Sequence, residues 1–216
     1  MRKIVIFDLD GTLIYTLGDL ANAVNHALGR LGFEERRMEE FNRMVGNGVD
    51  KLFERALPEG EKTEENIARM RQVFLPYYKS HSHDTSKPYD GIREVLEELK
   101  GRGILLATAS NKFQEGTEIV VRQFFGEGLF DLVRGLRKNH HAKPHPQMLL
   151  QTLAHFGIDK KDALYVGDSD VDMMTAERAG IDVIGALWGY RPEEELAKYP
   201  HLALVKRPEE ILKYAL

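Results

Sequence analysis

Ile4-Val5-Ile6-Phe7-Asp8-Leu9-Asp10-Gly11-Thr12 is the stretch that decides the fold. Ile4 to Phe7 is a continuous apolar run rich in β-branched residues, the pattern of a short strand covered on both faces. It stops at two aspartates and at Gly11, which permits a sharp turn. From Thr16 the period changes. Leu17, Leu20, Ala21, Val24, Leu28 and Leu31 recur at three- and four-residue spacing, predicting an amphipathic helix closed by Gly32. Gly46-Asn47-Gly48 breaks the next helix, Val49–Leu57 starts another, and Glu61 to about Tyr78 reads as a charged helix. Ser80 to Pro88 loses all periodicity and reads as a linker.

Beyond the linker, helix and strand alternate. Ile92, Val95, Leu96 and Leu99 mark a helix, and Ile104–Ala109 a strand. A helix near Gly116–Phe125 and a strand near Asp131–Gly135 follow. Then come helix Pro146–Phe156, strand Ala163–Val166, helix Val171–Ala179 and strand Val183–Ala186. Pro192–Lys198, Ala203–Val205 and Pro208–Tyr214 give a last helix, short strand and helix. Alternation of this kind predicts an α/β fold, a doubly wound parallel sheet with helices on both faces. The first strand is separated from its partners by a helical block. The simplest organisation is therefore an α/β core of residues 1–15 and 85–216, with residues 16–84 inserted as a helical cap. In open sheets of this type, ligands bind beyond the carboxyl ends of the strands.

Composition narrows the function. The 216 residues include 30 basic and 34 acidic ones, a formal charge of −4, so there is no basic excess for gripping nucleic acid. With no cysteine, disulfide scaffolds, thiolate metal sites and thiol nucleophiles are excluded. No apolar stretch approaches the roughly 20 residues of a membrane helix. The start of the chain also lacks the apolar core of a signal peptide. A cytoplasmic globular protein is expected, monomer or homodimer, with no nucleic-acid or membrane partner.

The chemistry gathers where the predicted strands end. Asp8 and Asp10 follow the first, Ser110-Asn111-Lys112 follows the strand at 104–109, and Gly167-Asp168-Ser169-Asp170-Val171-Asp172 follows the strand at 163–166. Lys143-Pro144 precedes a helix. Carboxylates brought together raise one another's pKa unless a cation joins them, and a hard, oxygen-seeking ion such as Mg²⁺ suits them. A phosphate dianion beside a carboxylate nucleophile needs positive charge, which Mg²⁺ and Lys143 supply. No segment reads as a nucleotide P-loop.

These segments, with Lys143-Pro144-His145-Pro146, resemble in order the four motifs of the haloacid dehalogenase superfamily, whose core is Rossmann-like. The nearest likeness is to its phosphoglycolate phosphatases, and Val45-Gly46-Asn47-Gly48 looks like the cap loop of that branch. The resemblance implies a Mg²⁺-dependent phosphomonoester hydrolase acting on a small phosphorylated metabolite, phosphoglycolate first among them. Asp8 would be the nucleophile forming an aspartyl-phosphate, and Asp10 the acid and then the base. Asp8, the Asp10 backbone carbonyl and Asp168 would hold Mg²⁺. Ser110, Asn111 and Lys143 would bind the phosphoryl group, with Asp172 supporting Mg²⁺ or Lys143. Gly46, Asn47 and Gly48 read equally as a substrate loop or as a plain helix–helix turn. Asp10 favours a phosphatase over a dehalogenase, because halide leaves without needing a proton. A phosphomutase of the β-phosphoglucomutase kind and a pyrophosphatase share the core motifs and stay open. A non-catalytic sensor would be expected to have lost a carboxylate or the lysine. His81-x-His83-Asp84 reads as a solvated segment, His140-His141 has no assigned role, and Trp188 to Arg191 reads as packing.

Overall fold

In the computed structural model, which describes residues 1–216, β1 (Ile4–Phe7) has every side chain buried. Ile4 and Ile6 pack on one face of the sheet, Val5 and Phe7 on the other, which is why the sequence shows a run rather than an alternation. Burial of such side chains stabilises by about 1.5–3 kcal/mol each.

β2 (Ile14–Tyr15) follows, and then α1 (Leu17–Arg30), α2 (Met38–Met44), α3 (Val49–Ala56) and α4 (Glu64–His81). After β3 (Lys87–Pro88) the chain alternates through α5 (Ile92–Gly101), β4 (Leu105–Thr108), α6 (Gln114–Phe125), α7 (Gln147–Phe156), β5 (Ala163–Gly167) and α8 (Asp170–Ala179). It ends with β6 (Asp182–Ala186), α9 (Glu193–Leu196), β7 (Ala203–Val205) and α10 (Leu212–Ala215). Five strands form one parallel sheet in the order β4-β1-β5-β6-β7. α5, α6 and α10 cover the face of Val5 and Phe7, while α7, α8 and α9 cover the face of Ile4 and Ile6. The fold is thus a doubly wound α/β sheet with a helical insertion between β1 and β4. No helix is long and apolar enough to cross a membrane.

Register sets the site. Phe7 lies opposite Thr108 of β4 and Val166 of β5, so the residues after all three strands emerge side by side. β1 is also where the strand order reverses, the point at which such sheets open a crevice.

α1 to α4 build a separate apolar cluster around Phe41, Phe53, Phe74 and Tyr78. α4 starts later than the periodicity predicts because Thr63 caps it, its side chain accepting from the Asn66 N–H at 3.1 Å. The two crossings between this block and the sheet are tied together. β2 and β3 pair antiparallel, with Tyr15 opposite Lys87. Buried Asp19, in the first turn of α1, accepts from Thr85 N and Oγ1 (2.8 and 2.6 Å) and from Ser86 N and Oγ (3.0 and 2.6 Å). Part of the expected linker is thereby bolted to the first helix.

The strand expected at Asp131–Gly135 is absent. Only isolated bridges form there, Ala107 to Leu132 and Phe113 to Leu136. Backbone bonds such as Thr108 N–H to Leu132 O (3.0 Å) and Ser110 N–H to Arg134 O (3.1 Å) remain, but side chains take two of the rungs: Asp131 Oδ2 accepts the Leu106 N–H at 2.9 Å, and Thr108 Oγ1 accepts the Arg134 N–H at 2.9 Å. An aspartate and a threonine compete with the backbone for its own partners.

Candidate active site

Asp8 is the first residue beyond β1, and its N–H still donates to Val166 O at 2.9 Å, which fixes where its carboxylate points. Asp8 Oδ1 lies 2.9 Å from Lys143 Nζ, yet it accepts no well-aligned hydrogen bond although it is buried. Lys143 is itself buried and also donates to Asp172 Oδ1 at 2.7 Å and to Tyr165 Oη at 2.9 Å. Tyr165, on β5, donates in turn to Asp172 Oδ1 at 2.7 Å. The other oxygen of Asp172 accepts from Ser169 N and Oγ (3.1 and 2.6 Å), closing a capping box at the start of α8. One aspartate therefore both caps a helix and holds the lysine.

Asp168, one residue beyond β5, accepts from Thr12 Oγ1 at 3.0 Å and from the Tyr190 N–H at 2.7 Å. It sits between two glycines. A Cβ on Gly11 or on Gly189 would overlap its carboxylate, and Gly11 also needs its positive φ of 91°.

Asp8, Asp168 and Asp172 each offer a carboxylate oxygen within 4.8 Å of the others. Burial, with like charge added, pushes Asp8 up to about 7, against the pull of Lys143. Burial and the charges of Asp172 and Asp8 push Asp168 up to about 8. Asp172 also suffers burial, but Lys143, Ser169 and Tyr165 hold it below the usual carboxylate range. Burial opposes the charge on Lys143, but Asp172 and Asp8 raise its pKa. The donor set is all oxygen, and two of its members resist ionisation without an added cation. That fits a hard divalent ion. The oxygens of Asp172 are saturated by donors, which leaves Asp8 and Asp168 as the carboxylates with capacity for it.

Asp10 faces another way. Its carboxylate lies 3.0 and 3.2 Å from Lys112 Nζ and accepts from Thr16 Oγ1 at 2.7 Å. Lys112 is buried, with its ammonium 4.8 Å from the Tyr78 ring centre. Asn111 Oδ1 accepts the Lys143 N–H at 2.7 Å, while its Nδ2 donates to Lys143 O and to Gly46 O, both at 3.0 Å. Its amide is thus engaged with Lys143 and with the inserted helices. Ser110 lines the same pocket, its Oγ accepting the Lys112 N–H at 3.2 Å.

The pocket is a cavity of about 40 Å³ between sheet and insertion. Asp8, Asp10, Ser110, Asn111 and Lys112 line it from below, and Val45, Gly46, Gly48, Val49 and Leu52 from above. Gly46 and Gly48 both have positive φ, 112° and 87°, while Asn47 turns aside and accepts from Arg55 at 2.8 Å. No histidine lines the pocket. His81 pairs with Asp84 at 2.7 Å and exposed His141 stacks near exposed His145.

Three contributors lie beyond what the sequence reading assigns: the Lys112–Asp10 pair, Tyr165 and Tyr190. Lys112 follows Ser110-Asn111 in the motif after β4, so its position is legible in the sequence. Trp188 to Arg191 was read as packing, yet Tyr190 reaches both Asp168 and Thr16.

A family model described as haloacid dehalogenase-like hydrolase matches residues 5–186. The phosphoglycolate phosphatase of Aquifex aeolicus is 37% identical over 188 residues, 87% of this chain and 86% of that one. The phosphoglycolate phosphatase of Mannheimia succiniciproducens is 34% identical over 194 residues, 87% of each chain. Among solved structures, a predicted phosphoglycolate phosphatase from Haemophilus somnus superposes with a TM-score of 0.92 at 31% identity, over 100% of this chain and 98% of that one. With the sheet, the insertion and the buried aspartate cluster in place, the chain belongs to the haloacid dehalogenase-like hydrolases, among their phosphatases, and is phosphoglycolate phosphatase-like.

Proposed function

We propose that the chain is a Mg²⁺-dependent phosphomonoester hydrolase working through an aspartyl-phosphate on Asp8. The observation that carries this is the Asp8 carboxylate, which lines the pocket and lies 2.9 Å from a buried lysine cation. A carboxylate held at the pocket beside a cation is placed to serve as the nucleophile. It attacks phosphorus, the bond to the leaving oxygen breaks, and Asp10 gives that oxygen a proton. Asp10 then takes a proton from water, the water oxygen attacks phosphorus, and the Asp8–phosphorus link breaks to release inorganic phosphate. Ser110 and Lys143 hold phosphoryl oxygens through both steps, and Asn111 fixes the Lys143 backbone. Asp8, Asp168 and the Asp10 carbonyl would hold Mg²⁺, which supplies positive charge against the phosphoryl oxygens.

Phosphoglycolate is the substrate we favour. Lys112, on the Asp10 side of the pocket, is a buried cation that suits a carboxylate on the leaving group, and the names of the similar proteins agree. The small cavity under residues 45–52 suits a small ester, and we divide the chain accordingly into a core (1–15, 85–216) and a mobile cap (16–84).

Phosphate release from p-nitrophenyl phosphate and phosphoglycolate, with and without Mg²⁺, tests the reading. Asp8→Ala is expected to lower turnover at least about a thousandfold, and Lys112→Met to raise KM for phosphoglycolate more than for p-nitrophenyl phosphate. Full activity of Asp8→Ala would refute the mechanism. Bisphosphate-stimulated sugar-phosphate isomerisation, or a preference for pyrophosphate, would replace the hydrolase assignment.

A further inference from the structure

Arg191 belongs to the sheet side of the molecule, in the loop after β6, but its hydrogen bonds go to the insertion. Its guanidinium donates to the carbonyls of Asn42 and, at 3.0 Å, Val45, the C-terminal end of α2. Those carbonyls have no partners further along the helix, and the end of a helix dipole favours a cation. The side chain is only 12% exposed and is steadied from behind by Glu195 at 3.5 Å and Asp170 at 4.0 Å. The next residues, Gly46 and Gly48, roof the catalytic pocket. On the far side of that roof Asn111 donates to Gly46 O. Two core loops therefore grip consecutive carbonyls of one cap loop, at Val45 and Gly46.

We propose that Arg191 is a positioning residue, the latch that holds the 45–48 loop down over the pocket. It touches no reacting group. Planarity matters to the grip, because one guanidinium presents two N–H groups to two carbonyls spaced three residues apart, whereas an ammonium is a point charge. Glu195 and Asp170 keep the cation in the same place when the cap lifts, so closing needs no new rotamer search. The proposal rests on the hydrolase reading only for its kinetic consequence. If the closed state binds substrate, weakening the latch lowers the closed fraction and raises KM in proportion, while saturating substrate restores closure and kcat.

The test is Arg191→Met and Arg191→Lys in the full chain, read by hydrogen exchange and by kinetics. In Arg191→Met, the amides of residues 45–49 are expected to exchange about tenfold faster, the effect of losing one net charge-assisted hydrogen bond. The β1 and β5 amides are expected to keep their protection. KM for p-nitrophenyl phosphate is expected to rise by less than the tenfold seen in exchange, because KM follows the closed fraction and exchange follows the ratio of open to closed, with kcat within about twofold. Arg191→Lys should fall between wild type and Arg191→Met on both measures. Unchanged exchange at 45–49, or a fall in kcat at constant KM, would overturn the latch. If the wild-type chain hydrolyses no ester, exchange alone decides it. Should Arg191→Met fail to fold, Arg191→Lys carries the same comparison.

Discussion

Replacing Asp19 by alanine should destabilise the protein out of proportion to the size of the change. The carboxylate is 1% exposed and accepts four hydrogen bonds at 2.6 to 3.0 Å, all from Thr85 and Ser86. Truncation leaves two hydroxyls, which can swivel toward water, and two backbone N–H groups, which cannot. Leaving a buried donor unsatisfied costs about 1–3 kcal/mol. Removing a buried charge returns part of its own desolvation penalty. Together these give a net loss of about 2–4 kcal/mol. In urea, with a slope of about 2 kcal/mol/M, the midpoint should fall by about 1–2 M. Asp19→Asn should recover about half of this, because its Oδ1 still accepts on one side while its Nδ2 meets a backbone N–H on the other. Thr85→Ala, losing one hydroxyl, should cost about 1 kcal/mol. Circular dichroism and tryptophan fluorescence, the latter from Trp188 beside the β2–β3 crossing, both follow the transition. A midpoint shift under about 0.3 M for Asp19→Ala would refute the argument that these bonds fasten the insertion to the sheet.

The raised pKa values carry a sign. Asp8 near 7 and Asp168 near 8 bind protons in the metal-free folded protein that the unfolded chain has already released. Their contribution to stability is therefore full below about pH 4 and is lost as pH rises through 7 to 8. Chelated protein should show a melting temperature that falls between pH 5 and 8, with Mg²⁺ restoring more at pH 8 than at pH 5; a flat or reversed trend at these sites contradicts the cluster. Gly189→Ala should push the Asp168 carboxylate aside, costing about 1–3 kcal/mol as overpacking does and weakening Mg²⁺ protection in the same thermal assay. Equal protection in variant and wild type would show that the Gly189 cradle does not matter.

What could be read in the sequence were features whose cause is local. Ile4 to Phe7 reveals a two-faced strand through its own composition, and the positions of Asp8, Asp168 and Ser110 follow from the strands that precede them. Asp172, which the resemblance assigns to Mg²⁺ or Lys143, lies 2.7 Å from the Lys143 ammonium. Failures came where partners are distant in sequence. Asp19 looks like any acid in a first helical turn, and only folding shows it meeting Thr85 and Ser86. Arg191 follows a glycine-aromatic pair and gives no local hint that helix α2 ends against it. Residues 131–135 have strand-like composition and keep some backbone bonds to β4, but the Asp131 and Thr108 side chains accept at two of the rungs and only isolated bridges form. Asn111 sits in the expected motif, yet what its amide does depends on where residues 46 and 143 come to lie.

The central place of β1 also sets a schedule for making the protein. Ile4 pairs with Leu105 on one side and with Ala163 on the other. At a synthesis rate of about 5–20 residues per second, those partners emerge on the order of ten seconds or more after the strand itself. During that interval an apolar, β-branched tetrapeptide waits with both edges unpaired, while α1 to α4, whose contacts are closer in sequence, are already complete. Long-range parallel pairing is slow for the same reason that closing a long loop is costly. The nascent chain therefore carries its central strand unsheltered through most of translation, and that strand is where association between unfinished copies should begin.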